Sequence, residues 1–100
     1  MHLRAMQQAI DRRLSGGYWH PLANLARLSE EVGELAREIQ NGWGARRRKP
    51  GEPQGEAAHE MGDILFVLAA LANTTGVDLE QALRGAMERF DAREAAARSG

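Results

Sequence analysis

Glu31 and Glu34 are three residues apart, and so are Glu60 and Asp63. On an α-helix that spacing sets two carboxylates side by side on one face. Projected at about 100° per residue from Leu28, Val32, Leu35 and Ile39 fall within roughly 40° of one line, Glu31 about 60° from it and Glu34 about 120° from it. Glu31 thus stands at the edge of an apolar seam, Glu38 near the same edge, and Glu30 points further away. Glu60 is in line with Ile64, Val67 and Leu71, so an acid heads an apolar stripe. Such burial costs several kcal/mol, to order of magnitude, unless something compensates. Four converging carboxylates stay ionised when cations sit between them. All-oxygen ligation by Asp and Glu suits a hard cation such as Mg2+ or Mn2+. The same pairs also describe a solvated face. Arg27 and Arg37 are placed to pair with Glu31 and Glu34, and acids early in a helix interact favourably with its dipole.

Four helices must position these groups. Leu3, Met6, Ile10 and Leu14 mark a first helix over about 3–14, ended by Ser15-Gly16-Gly17. The second is expected from Pro21 to Gln40, with Leu25, Leu28, Val32, Leu35 and Ile39 at heptad-like spacing and Asn41-Gly42 and Gly44 as its stop. Ala45 to Gly55 reads as a long loop carrying Arg46, Arg47, Arg48 and Lys49. The third helix is expected from Glu56 to Thr75. Its middle, Ile64 to Ala72, is apolar nearly all round and reads as buried on most sides. Asp78 reads as the N-cap of a fourth helix reaching about Ala97, with Gln81 as its capping-box partner and Leu79, Leu83, Met87 and Phe90 on one face. A helix apolar on all sides is hard to cover in 100 residues. The expectation is an all-α domain over residues 1–100, a protomer of four to five helices that assembles into a homo-oligomeric bundle, dimer or tetramer.

Composition narrows the function classes. The net charge is -1, and the basic cluster is confined to one loop, so a nucleic-acid partner is not expected. With no cysteine there is no disulfide, thiolate zinc site or cysteine nucleophile. The apolar run Ile64 to Ala72 is too short to span a bilayer, and Met1 to Ile10 lacks a signal-peptide core. The expected location is the cytoplasm, with no membrane partner.

Ser29-Glu30-Glu31-Val32-Gly33-Glu34-Leu35, followed by His59-Glu60-Met61-Gly62-Asp63-Ile64-Leu65, resembles the MazG family of nucleotide pyrophosphohydrolases. That pattern is Glu-Glu-x-x-Glu, a variable gap, then Glu-x-x-Asp. The resemblance extends over roughly Pro21 to Arg93 and is closest to the short, single-domain MazG-like proteins. It implies hydrolysis of a nucleoside triphosphate to a monophosphate and pyrophosphate. By position, Glu31, Glu34, Glu60 and Asp63 would hold Mg2+, and Glu30 would orient or deprotonate the attacking water.

Substrate contacts are expected from several further residues. Arg89 and Arg93, one turn apart, match a basic pair in relatives, or form a charged face with Glu88 and Asp91. Lys49 and its arginine neighbours could close on phosphates. Asn73 could hydrogen-bond substrate or cap its helix. Trp19 or Trp43 could stack on a base. His20 and His59 carry no pattern that assigns them a role. Two other readings stand beside the leading one: a relative acting on another pyrophosphate substrate such as phosphoribosyl-ATP, and a metal-binding helical dimerisation module without turnover.

Overall fold

The break at Ser15-Gly16-Gly17 ends the first helix as expected. In a computed structural model, which describes residues 2–43 and 57–99 (Trp43 by its backbone alone), α1 covers Leu3–Arg13. It is followed by α2 (Pro21–Trp43), α3 (Ala57–Thr75) and α4 (Leu79–Ser99), with no strand among the described residues. α2 runs three residues past the expected stop at Gln40. Glycine in a helix interior costs only about 1 kcal/mol relative to alanine, so Gly42 does not end it. The loop over 45–55, the expected helix start at Glu56, and Lys49 with its arginine neighbours lie outside the described residues.

Local chemistry sets the α3–α4 corner. Gly76 has φ 73°, and the Val77 N–H donates to the Ala72 carbonyl at 2.8 Å. This is the six-to-one bond of a Schellman C-cap, which needs a left-handed residue after the helix. The Asp78 carboxylate then accepts from the N–H groups of Glu80 at 2.9 Å and Gln81 at 3.3 Å. Asp78 is therefore the expected N-cap. The two helices meet at 106°.

α3 is the centre of the fold. Val67, Ala69, Ala70 and Ala72 are its buried apolar residues. The small alanines let α1 and α2, which both pack against α3, approach closely. α2 and α3 run antiparallel: Asn24 and Arg27 share a cavity with Phe66, Val67 and Ala70, while Glu31, further along, meets Glu60 and Asp63.

Polar side chains tie α1 to this pair. Buried Gln7 donates to Asn73 Oδ1 at 3.0 Å and the Val77 carbonyl at 2.9 Å. It also accepts from the Leu79 N–H at 2.8 Å. Arg4 adds ion pairs to Asp78 at 2.7 Å and Glu80 at 3.3 Å.

One chain does not cover its own apolar surface. Met61, Leu65 and Phe66 on α3 remain exposed, as do Leu25, Val32 and Ile39 on α2. α3 is thus less enclosed than its sequence suggests. α4 departs further: every residue from Ala86 to Ser99 is exposed, including Met87 and Phe90. Among the described residues, no single helix is long and apolar enough to cross a membrane.

Candidate functional site

α2 and α3 bring the two acidic half-motifs together. Glu31, Glu60 and Asp63 each offer a carboxylate oxygen, and these oxygens lie within 4.8 Å of one another. Glu60 is only 9% exposed, as its place at the head of the Ile64–Val67–Leu71 stripe requires. Burial pushes its carboxyl up to about 7, helped by hydrogen bonds to Glu31 and Glu34 and by their charges. Glu34 therefore faces Glu60 from α2, beside the three-way cluster. Glu30 is exposed on α2.

Two oxygens decide what the cluster can do. Glu31 Oε2 and Glu60 Oε2 are buried with no hydrogen-bond partner. Buried polar atoms are normally satisfied, and a carboxylate oxygen only accepts. Protons or cations must therefore fill the gap between the carboxylates. Among the described residues, Arg27 is the cation beside Glu31, its Nε 4.0 Å from Glu31 Oε1 across one turn of α2. That distance is too long for a hydrogen bond. The donor set, hard oxygens from Glu and Asp, suits a divalent cation.

His59 is the contact that sequence reasoning missed. Its Nε2 lies 3.1 Å from Asp63 Oδ2. His59 and Glu60 are about 100° apart on the helix, but Asp63 is four residues on, the spacing that makes helical neighbours. His59 braces one carboxylate from the exposed side.

The expected substrate residues are not gathered in one place. Trp19 sits two residues before α2, with the Arg27 guanidinium 5.1 Å from its ring centroid. Asn73 is committed to α1: its amide donates to the Gln7 carbonyl at 3.0 Å and to Tyr18 Oη at 3.1 Å, while its oxygen accepts from Gln7. The Tyr18 hydroxyl in turn donates to Asp11. Arg89 and Arg93 are on the exposed half of α4, which packs against α1 at its other end.

Asn24 is a second residue that the sequence reading passed over. It is 5% exposed, and its Nδ2 has no hydrogen-bond partner. A signal was present: four residues before Leu28, it falls about 40° from the Leu28 line, inside the apolar stripe.

Comparison with known proteins bears on the same residues. Residues 20–96 match the MazG nucleotide pyrophosphohydrolase domain. The chain is 40% identical over 95 residues to YpjD of Bacillus subtilis (strain 168), an uncharacterised protein, covering 92% of this chain and 86% of YpjD. It is 32% identical over 80 residues to YvdC of the same organism, also uncharacterised, covering 73% and 74% respectively. Among solved structures it is similar to the crystal structure of Bacillus subtilis YpjD, with TM-score 0.79, 41% identity and coverage of 88% and 93%. It is also similar to that of a Bacillus-conserved MazG protein, a nucleotide pyrophosphohydrolase, with TM-score 0.74, 38% identity and coverage of 88% and 87%. The acidic α2–α3 pair is therefore carried by a member of the MazG family, and the chain is an enzyme of the nucleotide pyrophosphohydrolase class.

Proposed function

We propose that the chain is a Mg2+-dependent nucleoside triphosphate pyrophosphohydrolase. It converts an (d)NTP to the (d)NMP and pyrophosphate by attack of water at the α-phosphorus. The observation that carries this reading is the convergence of Glu31, Glu60 and Asp63, with buried oxygens on Glu31 and Glu60 that lack a donor.

Glu31, Glu34, Glu60 and Asp63 would hold the metal, with Mn2+ as a substitute. Bound Mg2+ supplies charge neutralisation on the triphosphate and a lower pKa for the attacking water. Glu60, deep in the α2–α3 crevice, fixes the inner edge of the ligand set. His59 keeps Asp63 from turning to solvent. Glu30, beside Glu31 but exposed, orients the water or takes its proton. The water's oxygen bonds to the α-phosphorus, the bond to the bridging oxygen of the leaving pyrophosphate breaks, and the water's proton passes to Glu30 or solvent.

Trp19, Asn73, Lys49, Arg89 and Arg93 are the proposed substrate contacts. The two arginines belong to the part of α4 that projects from its own chain, so their reading goes with self-association. A homodimer or homotetramer is supported by the apolar residues left open on α2, α3 and α4. In such an assembly Arg89 and Arg93 reach the phosphates of a neighbouring copy's substrate.

The test is pyrophosphate release from a panel of NTPs and dNTPs, with Mg2+ or Mn2+ and with chelator. Metal-dependent release is expected. No release from any nucleotide by a folded, metal-binding protein would overturn the reading.

A further inference from the structure

A cavity of about 150 Å³ opens between the start of α2 and the second half of α3. Trp19, Phe66, Val67 and Ala70 form apolar wall, and Asn24 and Arg27 line it as well. Ligand pockets have this make-up: mostly apolar and aromatic lining with a few placed polar groups. An apolar cavity of about this size holds one six-membered ring.

Asn24 gives the wall a direction. Its Nδ2 is buried and unpartnered, so a donor has been taken out of water with nothing to bond. Such a group costs about 1–3 kcal/mol in a folded chain. The nitrogen is out of reach of water in the cavity, so the Asn24 side chain would turn for a ring carbonyl to bond it and relieve that cost.

The cavity also lies at a fixed distance from the carboxylates. Asn24 precedes Glu31 by seven residues and Arg27 precedes it by four, about 10 Å and 6 Å of helical rise. On α3, Val67 and Ala70 follow Asp63 by four and seven residues, which repeats those spacings. Arg27 touches both regions, stacked on Trp19 at 5.1 Å and 4.0 Å from Glu31. A ring in the cavity would leave a sugar and its 5′-phosphate to run along Arg27 to the acidic cluster.

We infer that this cavity receives the base of the substrate, that it favours a pyrimidine over a purine, and that Asn24 Nδ2 donates a hydrogen bond to a ring carbonyl. Trp19 and Phe66 supply the apolar and aromatic contact. The inference rests on the pyrophosphohydrolase reading for its ligand class.

The test is calorimetric titration of the full chain with dCMP, dUMP, dAMP and dGMP, in parallel with pyrophosphate release from the matching triphosphates. Pyrimidine monophosphates should bind about tenfold more tightly than purine ones. Asn24→Ala should lower pyrimidine affinity about tenfold and leave purine binding unchanged. Because the native amide nitrogen is unpartnered, the same variant should melt at the same temperature or higher. Trp19→Leu, at an exposed position, should weaken both classes without unfolding the chain. Equal binding of purines, or an Asn24→Ala variant that loses stability and affects all bases alike, would overturn the assignment. Selective pyrimidine binding without hydrolysis of any triphosphate would sink the hydrolase reading and leave the cavity standing. Hydrolysis that favours purines and ignores Asn24→Ala would do the reverse.

Discussion

His59 Nε2 lies 3.1 Å from Asp63 Oδ2, one turn along α3, on the exposed side of a carboxylate that faces Glu31 and Glu60 on its other side. The contact fixes an acid that solvent would otherwise let rotate. Removing it with His59→Ala should raise the Mg2+ concentration for half-maximal activity by up to about tenfold, the low end for a residue that orients a ligand. Maximal rate and melting temperature should change little, since exposed ion pairs contribute only about 0–1 kcal/mol. An unchanged metal requirement would show that Asp63 needs no brace.

Glu31→Ala or Asp63→Ala should abolish pyrophosphate release while helicity by circular dichroism stays intact. Neither side chain is needed to fill the core, and each removes one charge from a mutually repelling group. Retained activity in both variants would refute the site assignment.

Glu60 carries a pH dependence with a definite sign. Its folded carboxyl is pushed up to about 7 by burial and by Glu31 and Glu34. Protonation is therefore favoured by folding. That contribution is full below the ordinary carboxylate range and is lost as pH rises through about 7. In chelator, the melting temperature should fall between about pH 5 and pH 8. Glu60→Gln, which keeps the shape without the titration, should flatten that slope. A slope that survives the substitution would assign the dependence to other groups.

Met87 and Phe90 touch solvent in the single chain, Phe90 at 55% exposure. Introducing Met87→Asp with Phe90→Asp should leave helicity unchanged and shift sedimentation toward the monomer. If wild type already sediments as a monomer at micromolar concentration, the bundle expectation is wrong.

Asn73 makes three hydrogen bonds that join α3 to Gln7 and Tyr18. Asn73→Ala should destabilise the chain by about 1–3 kcal/mol by orphaning those partners. At a temperature where the variant is fully folded, a loss of kcat beyond a fewfold would add a substrate contact to this structural role.

The elements and acidic pairs were legible because helical periodicity is local. The stripe from Glu60 to Leu71 announces its face, and the structure buries Glu60 and Val67 along it, whereas Leu25, Val32 and Ile39 of the α2 seam stay exposed in the single chain. The end of α2 was not legible, because one glycine weighs too little against a helix of that length. Asn73 shows another limit. Its neighbours in sequence say only that α3 is ending, whereas its partners are Gln7 on α1 and Tyr18 in the connector after it, 66 and 55 residues away. No spacing within α3 encodes that docking. Asn24 was legible in principle, as a polar residue in an apolar stripe. What the sequence could not carry is that the surrounding residues leave its amide nitrogen unmatched.

Asn24, Arg27 and Glu31 descend one side of a single helix, with no loop between the first and the last. The helix therefore acts as a ruler. The interval between the cavity and the carboxylates is set by backbone rise, which side-chain substitution does not stretch. A residue inserted between Asn24 and Glu31 would lengthen it by only about 1.5 Å but turn the two ends about 100° out of phase. Evolution of this site toward longer or shorter ligands would have to proceed by changing what lines the groove, with its gauge held constant.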